Sequence, residues 1–456
     1  MWTRWVFALV VYTLFAAALA QYADQAFSAL GTRSIDVWNM STAGMNEAGA
    51  VRYVKDVLTV VIGVGWPIAL GRGRFPYDMS KLVLLYFVWL FCVISIGLVP
   101  FILGWTPLFF LAAGMRWVLL LHASFGLFLF GRWLPDGVRG QTAFVIALLA
   151  LAALDFYVVL RQWMDLGQGR VVSFAGDRYT GLLSNATLAG MYAISLACMT
   201  LILDRARLLF RLLLIGLAVG IAVSSGTRFA MLCVAPVTGL VFWEVLAGRL
   251  DRRARMLLVM SALPIAASLV TGGYAHMVDA VGRGDVLDNQ IAEGGRLYNL
   301  VQIADQLSQA NVPELLIGRG LGVGTNTAYS MVQQAGAEPE QYRFNLLIDN
   351  AFVTMQFQLG TIGTLLFVTG AAAFLWRLRP RHSGYLRARH LVFVGITLGA
   401  CMDINLLEQY PLVTTLFVCF GDTYWRAVHK TGVRLQAAPG RARPKVGVDE
   451  APFLNM

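Results

Sequence analysis

The chain of 456 residues has five cysteines and five histidines, and neither set is spaced for chemistry. Cys92, Cys198, Cys233, Cys401 and Cys419 all fall in apolar runs and read as small core residues. No Cys-x-x-Cys pair occurs and the histidines are scattered, which argues against a metal site and leaves no cofactor expected. Internal repeats are missing as well. So are the alternating apolar and polar stretches of a membrane barrel strand, which leaves helices as the means of crossing a bilayer. The glycine-rich run Gly318-Arg319-Gly320-Leu321-Gly322-Val323-Gly324 follows no strand and lacks the Lys-Ser/Thr ending of an ATP-binding phosphate loop, so it argues for no nucleotide site.

What the chain does have is apolar sequence: 58% hydrophobic residues and a mean hydropathy of +0.65. Runs such as Leu82–Val99, Thr142–Leu160 and Leu208–Val223 approach or reach the ~20 residues that a spanning helix needs. The expected fold class is an all-α polytopic membrane protein of about twelve spans. They fall near 5–22, 53–70, 81–103, 106–131, 141–160, 182–203, 208–224, 229–248, 256–275, 350–375, 390–404 and 411–425. Arg116 interrupts the fourth, so a re-entrant piece followed by a helix is the alternative over 98–131. The last two are short enough to be tilted, kinked or partly re-entrant. The N-terminal Met1-Trp2-Thr3-Arg4, followed by the apolar run Trp5–Ala20, reads as an uncleaved first span rather than a signal peptide.

Basic residues orient these spans. Arg4, the segments 72–81, 132–139, 204–211, 249–255 and 377–389, and the tail from Arg426 hold 24 of the 36 Lys and Arg residues. The other side holds 18 of the 26 acids. By the positive-inside rule both termini are expected in the cytoplasm, and the net charge of +10 is a topology signal that calls for no nucleic-acid partner. The organisation expected is spans one to nine over 1–275, a large outer loop domain over 276–349, spans ten to twelve over 350–425, and a basic, disordered cytoplasmic tail over 426–456. Smaller outer loops fall at 23–52 and 161–181.

The large loop is polar in a protein otherwise mostly apolar. Leu297, Leu300, Val301, Ala304 and Leu307 share one helical face opposite Asn299, Gln302, Asp305 and Gln309, which predicts an amphipathic helix of about four turns. Such a helix suits the tops of the spans or the lipid headgroup layer. Pro313 ends it.

Arginines on the outer side are the candidates for binding an anion. Arg178 stands in Asp177-Arg178-Tyr179-Thr180-Gly181-Leu182-Leu183-Ser184-Asn185, where a loop enters a span. Arg228 closes the short turn Ser224-Ser225-Gly226-Thr227-Arg228, and Arg296 opens the loop helix. Guanidinium forks pair well with phosphate oxygens. Interfacial arginines also anchor helix ends, and Arg228 competes with snorkelling while Arg296 competes with a salt bridge to Glu293. Arg283 and Arg319 are loop arginines of lower priority. Asp349-Asn350 suits the N-cap of the following span, and a carboxylate there could also orient or deprotonate a hydroxyl. Gly360 and Gly363, one turn apart, read as a close helix-packing site. Asp403 and Glu408 flank the last turn between spans.

In order along the chain, these elements resemble the O-antigen polymerase and ligase superfamily. They are Arg178-Tyr179-Thr180-Gly181 with Ser184-Asn185, the Ser224–Arg228 turn, Arg296 with its helix, Ile317-Gly318-Arg319-Gly320-Leu321-Gly322, and Asp349-Asn350-x9-Gly360-x-x-Gly363. The resemblance covers roughly residues 170–375 and implies a glycosyltransferase-C-like helical bundle with a large periplasmic loop in the bacterial inner membrane. It also implies a metal-independent enzyme that takes a glycan from undecaprenyl pyrophosphate at the periplasmic face. A second lipid-linked repeat would be the acceptor, membrane lipids the surroundings and a chain-length regulator a further partner. It assigns Arg178, Arg296 and Asp349 to catalysis, and Arg228, Asn350, Asn185, Tyr179, Arg319 and Arg283 to substrate binding. Ligases of the family carry histidine immediately before the Asn-x9-Gly-x-x-Gly element. Aspartate at position 349 favours the polymerase branch over the rival ligase to lipid A-core or protein. A twelve-span transporter is the rival from another class. Against it, residues 71–81 lack the Gly-x-x-x-Asp-x-x-Gly pattern of the major facilitator group, and the spans show no two-fold halves.

Overall fold

The computed structural model describes residues 2–20, 23–31, 54–71, 77–166, 179–183, 185–248, 296–325, 327–328, 332, 348, 350–381, 383–403, 406 and 409–436. Every regular element among them is helical. In chain order these are α1 (Trp2–Ala20), α2 (Ala23–Ala29), α3 (Val54–Gly71), α4 (Tyr77–Ile102), α5 (Phe109–Leu129), a 3-10 turn (Gly131–Trp133), α6 (Gly137–Leu166), α7 (Ala186–Ile202), α8 (Leu208–Ser224) and α9 (Arg228–Gly248). Then follow α10 (Arg296–Ser308), α11 (Val312–Ile317), α12 (Ala351–Arg377), α13 (Gly384–Asp403) and α14 (Tyr410–Gln436).

A helix occupies eleven of the twelve expected spans, and the segment 256–275 lies outside the described residues. Among the described residues, five helical stretches are long and apolar enough to cross a membrane: Thr3–Ala20, Met79–Ile102, Phe109–Leu129, Gly137–Asp165 and Ala351–Arg377. The shorter α7 and α8 are also apolar. Over 98–131 the chain forms two helices joined by a turn, not a re-entrant piece before one helix. The last two helices are longer than the sequence pattern suggested, because α13 and α14 continue as polar helix beyond their apolar stretches.

The centre of the bundle is α7, which is apolar all round and nearly all buried. Its Ser195 and Thr200 hydroxyls donate to the Met191 and Ala197 carbonyls at 2.8 and 2.6 Å, so neither is stranded. Aromatic packing joins α3, α4 and α5. Tyr86 stacks on Phe125, shares a 3.2 Å hydrogen bond with His122 Nδ1, and meets Trp66 edge-on.

Among the described residues, Arg4, segments 132–139, 204–211 and 377–389, and the tail at Arg426 meet at one end of the bundle. Arg4 reaches Asp136 at 3.0 Å, and Arg205 pairs with the same carboxylate. Arg211 bonds both oxygens of Glu244, which also accepts the Tyr385 hydroxyl. The fully buried Arg389 meets Asp422 at 2.7 Å, and Arg426 reaches both Asp422 and Asp204. These pairs join α1, α8, α9, α13, α14 and the turns that precede α6 and α8.

The amphipathic helix expected in the large loop is present as α10. Leu307 of the expected face packs inward with Ile303 on Ile348, Phe357 and Val353, whereas Val301 and Ala304 are exposed. On the same side Arg319 Nη1 donates to Gln306 Oε1 at 2.8 Å.

Candidate functional site

At the end of the bundle opposite these ion pairs, the backbone leaves the helical path in two places. The first follows α6. Residues Tyr179–Leu183 turn back against that helix, and Thr180, Gly181, Leu182 and Leu183 are buried. Buried non-helical backbone needs partners, and polar side chains of α6 supply them. Gln162 Oε1 accepts the Thr180 and Gly181 N–H groups at 3.1 and 3.0 Å, and its Nε2 donates to Thr180 Oγ1 at 3.1 Å. Deeper in the bundle, Asp155 Oδ1 accepts the Leu182 N–H at 2.7 Å. Asp155 lies eleven residues before the end of α6, roughly 16 Å along the helix axis. The segment is therefore a hook inserted well below the helix end.

Two further bonds fasten this hook to the Ser224–Arg228 turn. The Tyr179 N–H donates to the Ser224 carbonyl at 2.9 Å, and Thr227 Oγ1 donates to the Ala186 carbonyl at 2.9 Å. Asn185 is exposed and caps α7, its side chain accepting the Leu188 N–H at 2.8 Å. Arg228 opens α9 with its side chain exposed, and Tyr179 is half-buried.

The second departure is a break inside α12. Gly360 has φ 61° and ψ −172°, a conformation open essentially to glycine alone, and the helical hydrogen-bond ladder parts there. Two carbonyls of the preceding turn become acceptors for the glycine-rich run: Phe357 takes the Arg319 N–H at 2.7 Å and Gln358 takes the Gly320 N–H at 3.0 Å. A Cβ on Gly360 would stand 2.4 Å from the Leu316 carbonyl. Buried Gln358 accepts from Trp117 Nε1 at 2.9 Å and donates to the Val323 carbonyl at 3.0 Å. Leu321 wedges between α4 and α5, donating its N–H to Gly97 at 3.2 Å and lying so close to Gly114 that no Cβ fits there. Gly318 and Gly322 thus let backbone meet backbone, while Gly320 and Gly324 make room for the Phe101 and Ile348 side chains. Gly363 serves close packing against Ile96 of α4, while Gly360 makes the break that receives the loop.

Arg319 is mostly buried. It bonds Gln306, approaches Glu314 at 3.6 Å and lies over the Phe357 ring. These contacts tie α10 and α11 to α12. Asn350 is the N-cap of α12, accepting the Val353 N–H at 3.1 Å, and its Nδ2 donates to the Met402 carbonyl of α13 at 2.8 Å. On the other flank, Phe229 of α9 packs against Gly399 of α13. The two departures therefore border the same helix end. Arg178, Arg283 and Asp349 lie outside the described residues, and of Arg296 the structure describes its place as the first residue of α10.

Sequence reasoning missed Gln162, Asp155 and Gln358, whose signal was a polar residue inside an apolar run. It also missed the partner of Arg116, which is Asp56 of α3. Among the described residues, no three His, Cys, Asp or Glu side chains come together in a way that could hold a metal ion. Fold and site define an all-helical protein with apolar helices long enough to cross a membrane and a polar, partly non-helical end. No protein-family model matches the chain, and no curated protein matches it either.

Proposed function

We propose that this chain is a bacterial inner-membrane polysaccharide polymerase that joins undecaprenyl-pyrophosphate-linked repeat units at the periplasmic face. In this reading it spans the membrane twelve times, both termini are cytoplasmic, and residues 276–349 lie outside the membrane over the helix ends. A hydroxyl of the incoming lipid-linked repeat attacks the anomeric carbon of the donor glycan. The new glycosidic C–O bond forms as the bond to the lipid pyrophosphate breaks. The hydroxyl proton leaves by way of Asp349 or solvent. Arg178 and Arg296 neutralise charge growing on the departing pyrophosphate, a role in which fixed charges outperform water. Arg228, exposed at the head of α9, stands ready for the same anion.

The observation that carries this reading is the pairing of scattered motifs. The hook 179–185 is bonded to the turn 224–228, the glycine run is bonded to the break in α12, and both pairs border the end of α13. Motifs more than a hundred residues apart converge on one end of the bundle, as a site for a large amphiphilic substrate requires. The acid at position 349 favours the polymerase over the ligase.

The test is a deletion strain complemented with Arg178→Ala, Arg296→Ala or Asp349→Ala. The expected result is loss of the polymer ladder and accumulation of single lipid-linked repeats. Normal ladders from correctly inserted arginine variants would sink the pyrophosphate assignment. Accumulation of long lipid-linked chains in the deletion strain would point to a ligase instead.

A further inference from the structure

At the ion-paired end of the bundle Arg4, Arg205, Arg211, Arg389 and Arg426 each have an acid beside them. The turn after α12 is different. Between Ala351 and Met402 the chain holds no Asp or Glu, yet five arginines stand between positions 377 and 389. Of these, Arg389 is met by Asp422, and the Glu244 carboxylate is engaged by Arg211 and Tyr385. Arg387 is used within the turn, its Nε donating to the Pro380 carbonyl at 3.4 Å and its Nη2 to the Arg381 carbonyl at 2.9 Å. Leu378 and Pro380 are buried and fix the turn against the bundle. Arg377, Arg379 and Arg381 are exposed, and among the described residues their guanidinium groups make no hydrogen bond or ion pair.

Helix capping does not account for these three. The end of α12 is closed by backbone, the Leu378 N–H donating to the Phe374 carbonyl at 3.1 Å and the Arg379 N–H to the Trp376 carbonyl at 3.2 Å. A helix C-terminus carries roughly half a negative charge, which leaves three guanidinium groups largely uncompensated. The turn is a fixed cationic surface.

Its neighbour selects the anion. Trp376 is 73% exposed, and Arg379 lies over its ring at 5.3 Å. An exposed indole beside free arginines at the end of an apolar helix is the composition of a membrane interface. The same helix is exposed at Ile362 and Leu365, beyond the Gly360 break. From Thr361 to Trp376 it rises roughly 24 Å, most of the ~30 Å hydrocarbon thickness of a bilayer. A free inorganic phosphate would engage the arginines and leave the ring unused. An anionic phospholipid uses both, its phosphate on the guanidinium forks and its glycerol and upper acyl carbons on Trp376.

We propose that Trp376, Arg377, Arg379 and Arg381 form a seat for the headgroup of an anionic phospholipid. Bound there, the lipid fixes the height of α12 in the bilayer and holds the Gly360 break near the opposite membrane face. This assignment rests on α12 crossing a membrane and is independent of the glycan chemistry.

The test uses full-length protein in dodecyl maltoside micelles, titrated with phosphatidylglycerol or with phosphatidylcholine of the same acyl chains and read by native mass spectrometry. Wild type is expected to bind phosphatidylglycerol more tightly than phosphatidylcholine. Arg381→Gln is expected to weaken phosphatidylglycerol binding about fivefold, with phosphatidylcholine binding unchanged. Replacing Arg377, Arg379 and Arg381 together by Gln is expected to weaken it by more than about tenfold. Trp376→Ala is expected to weaken both lipids. The arginine substitutions remove no partner within the described residues, so the unfolding midpoint without added lipid stays at the wild-type value. Equal wild-type affinity for the two lipids, or a preference that survives the triple substitution, would overturn the seat and leave the polymerase reading standing. Displacement of bound phosphatidylglycerol by millimolar inorganic phosphate would overturn the lipid assignment in favour of a free-anion site.

Discussion

The two ends of this helical bundle use their polar residues for opposite purposes. At the end where Arg4, Arg211, Arg389 and Arg426 gather, charged side chains pair with one another across helices that stay regular. At the other end, polar side chains bind backbone that has left the helix, as Gln162 and Asp155 do for the hook and Gln358 does for the glycine run. The first arrangement holds helices in register. The second holds irregular chain in place and fastens it to the neighbouring helices. The more heavily charged end uses its charges in helix-to-helix pairing.

The comparison breaks first at Arg389. This side chain is fully buried against Asp422, and truncating it removes the nearer cation from a carboxylate that Arg426 still contacts. Arg389→Ala is therefore expected to cost about 3 kcal/mol, the low end for breaking a buried pair, read as a fall in the thermal unfolding midpoint in detergent. A neutral outcome would show that the pair does not hold this end together. Next comes Gly360→Ala. The backbone conformation there is one that side-chain-bearing residues avoid, and the new Cβ would meet the Leu316 carbonyl. A loss of roughly 2 kcal/mol or more is expected, with faster proteolysis in 310–325. If α12 instead straightens and stability rises, the docking of the glycine run is not what fixes the break.

The smallest effect expected is on pH dependence. Burial alone would raise the Asp204 carboxyl, but Arg426, with help from Arg389 and Arg211, outweighs it and holds the group below the ordinary value of 3.8. A carboxylate lowered on folding contributes stability above its unfolded value, and that contribution is lost as pH falls through the lowered value. The wild-type unfolding midpoint should therefore drop on acidification below about pH 4, and the gap to Asp204→Asn should narrow there. Parallel curves for the two proteins would remove Asp204 from the network.

Much of the fold was legible in the chain because a lipid solvent makes a long apolar run nearly synonymous with a helix. Leu82–Val99 and Thr142–Leu160 each lie inside an observed helix, and Asn185 and Asn350 cap helices, as the side chain of asparagine favours. The site was less legible. Asp155 and Gln162 looked like isolated polar residues in an apolar span, since their partners are backbone groups of a segment seventeen or more residues further on. The inward face of α10 was legible only in part, because periodicity finds an apolar stripe without knowing which residues of it meet a partner: Leu307 met one, as did Ile303 outside the expected stripe, while Val301 and Ala304 did not.

The sequence by itself determined that the chain is helical and apolar, where most of its described helices lie though not how far α13 and α14 continue, and how its basic residues cluster along the chain. Those properties follow from local composition and from the demand that every backbone group in an apolar medium be paired within its own helix. Only the tertiary structure decided that the hook joins the Ser224–Arg228 turn, that the glycine run docks into a broken α12, and that Arg116 meets Asp56 and Thr327. Those contacts join residues from about 38 to more than 200 positions apart. Their pairing depends on which helices pack side by side, and no local pattern encodes that.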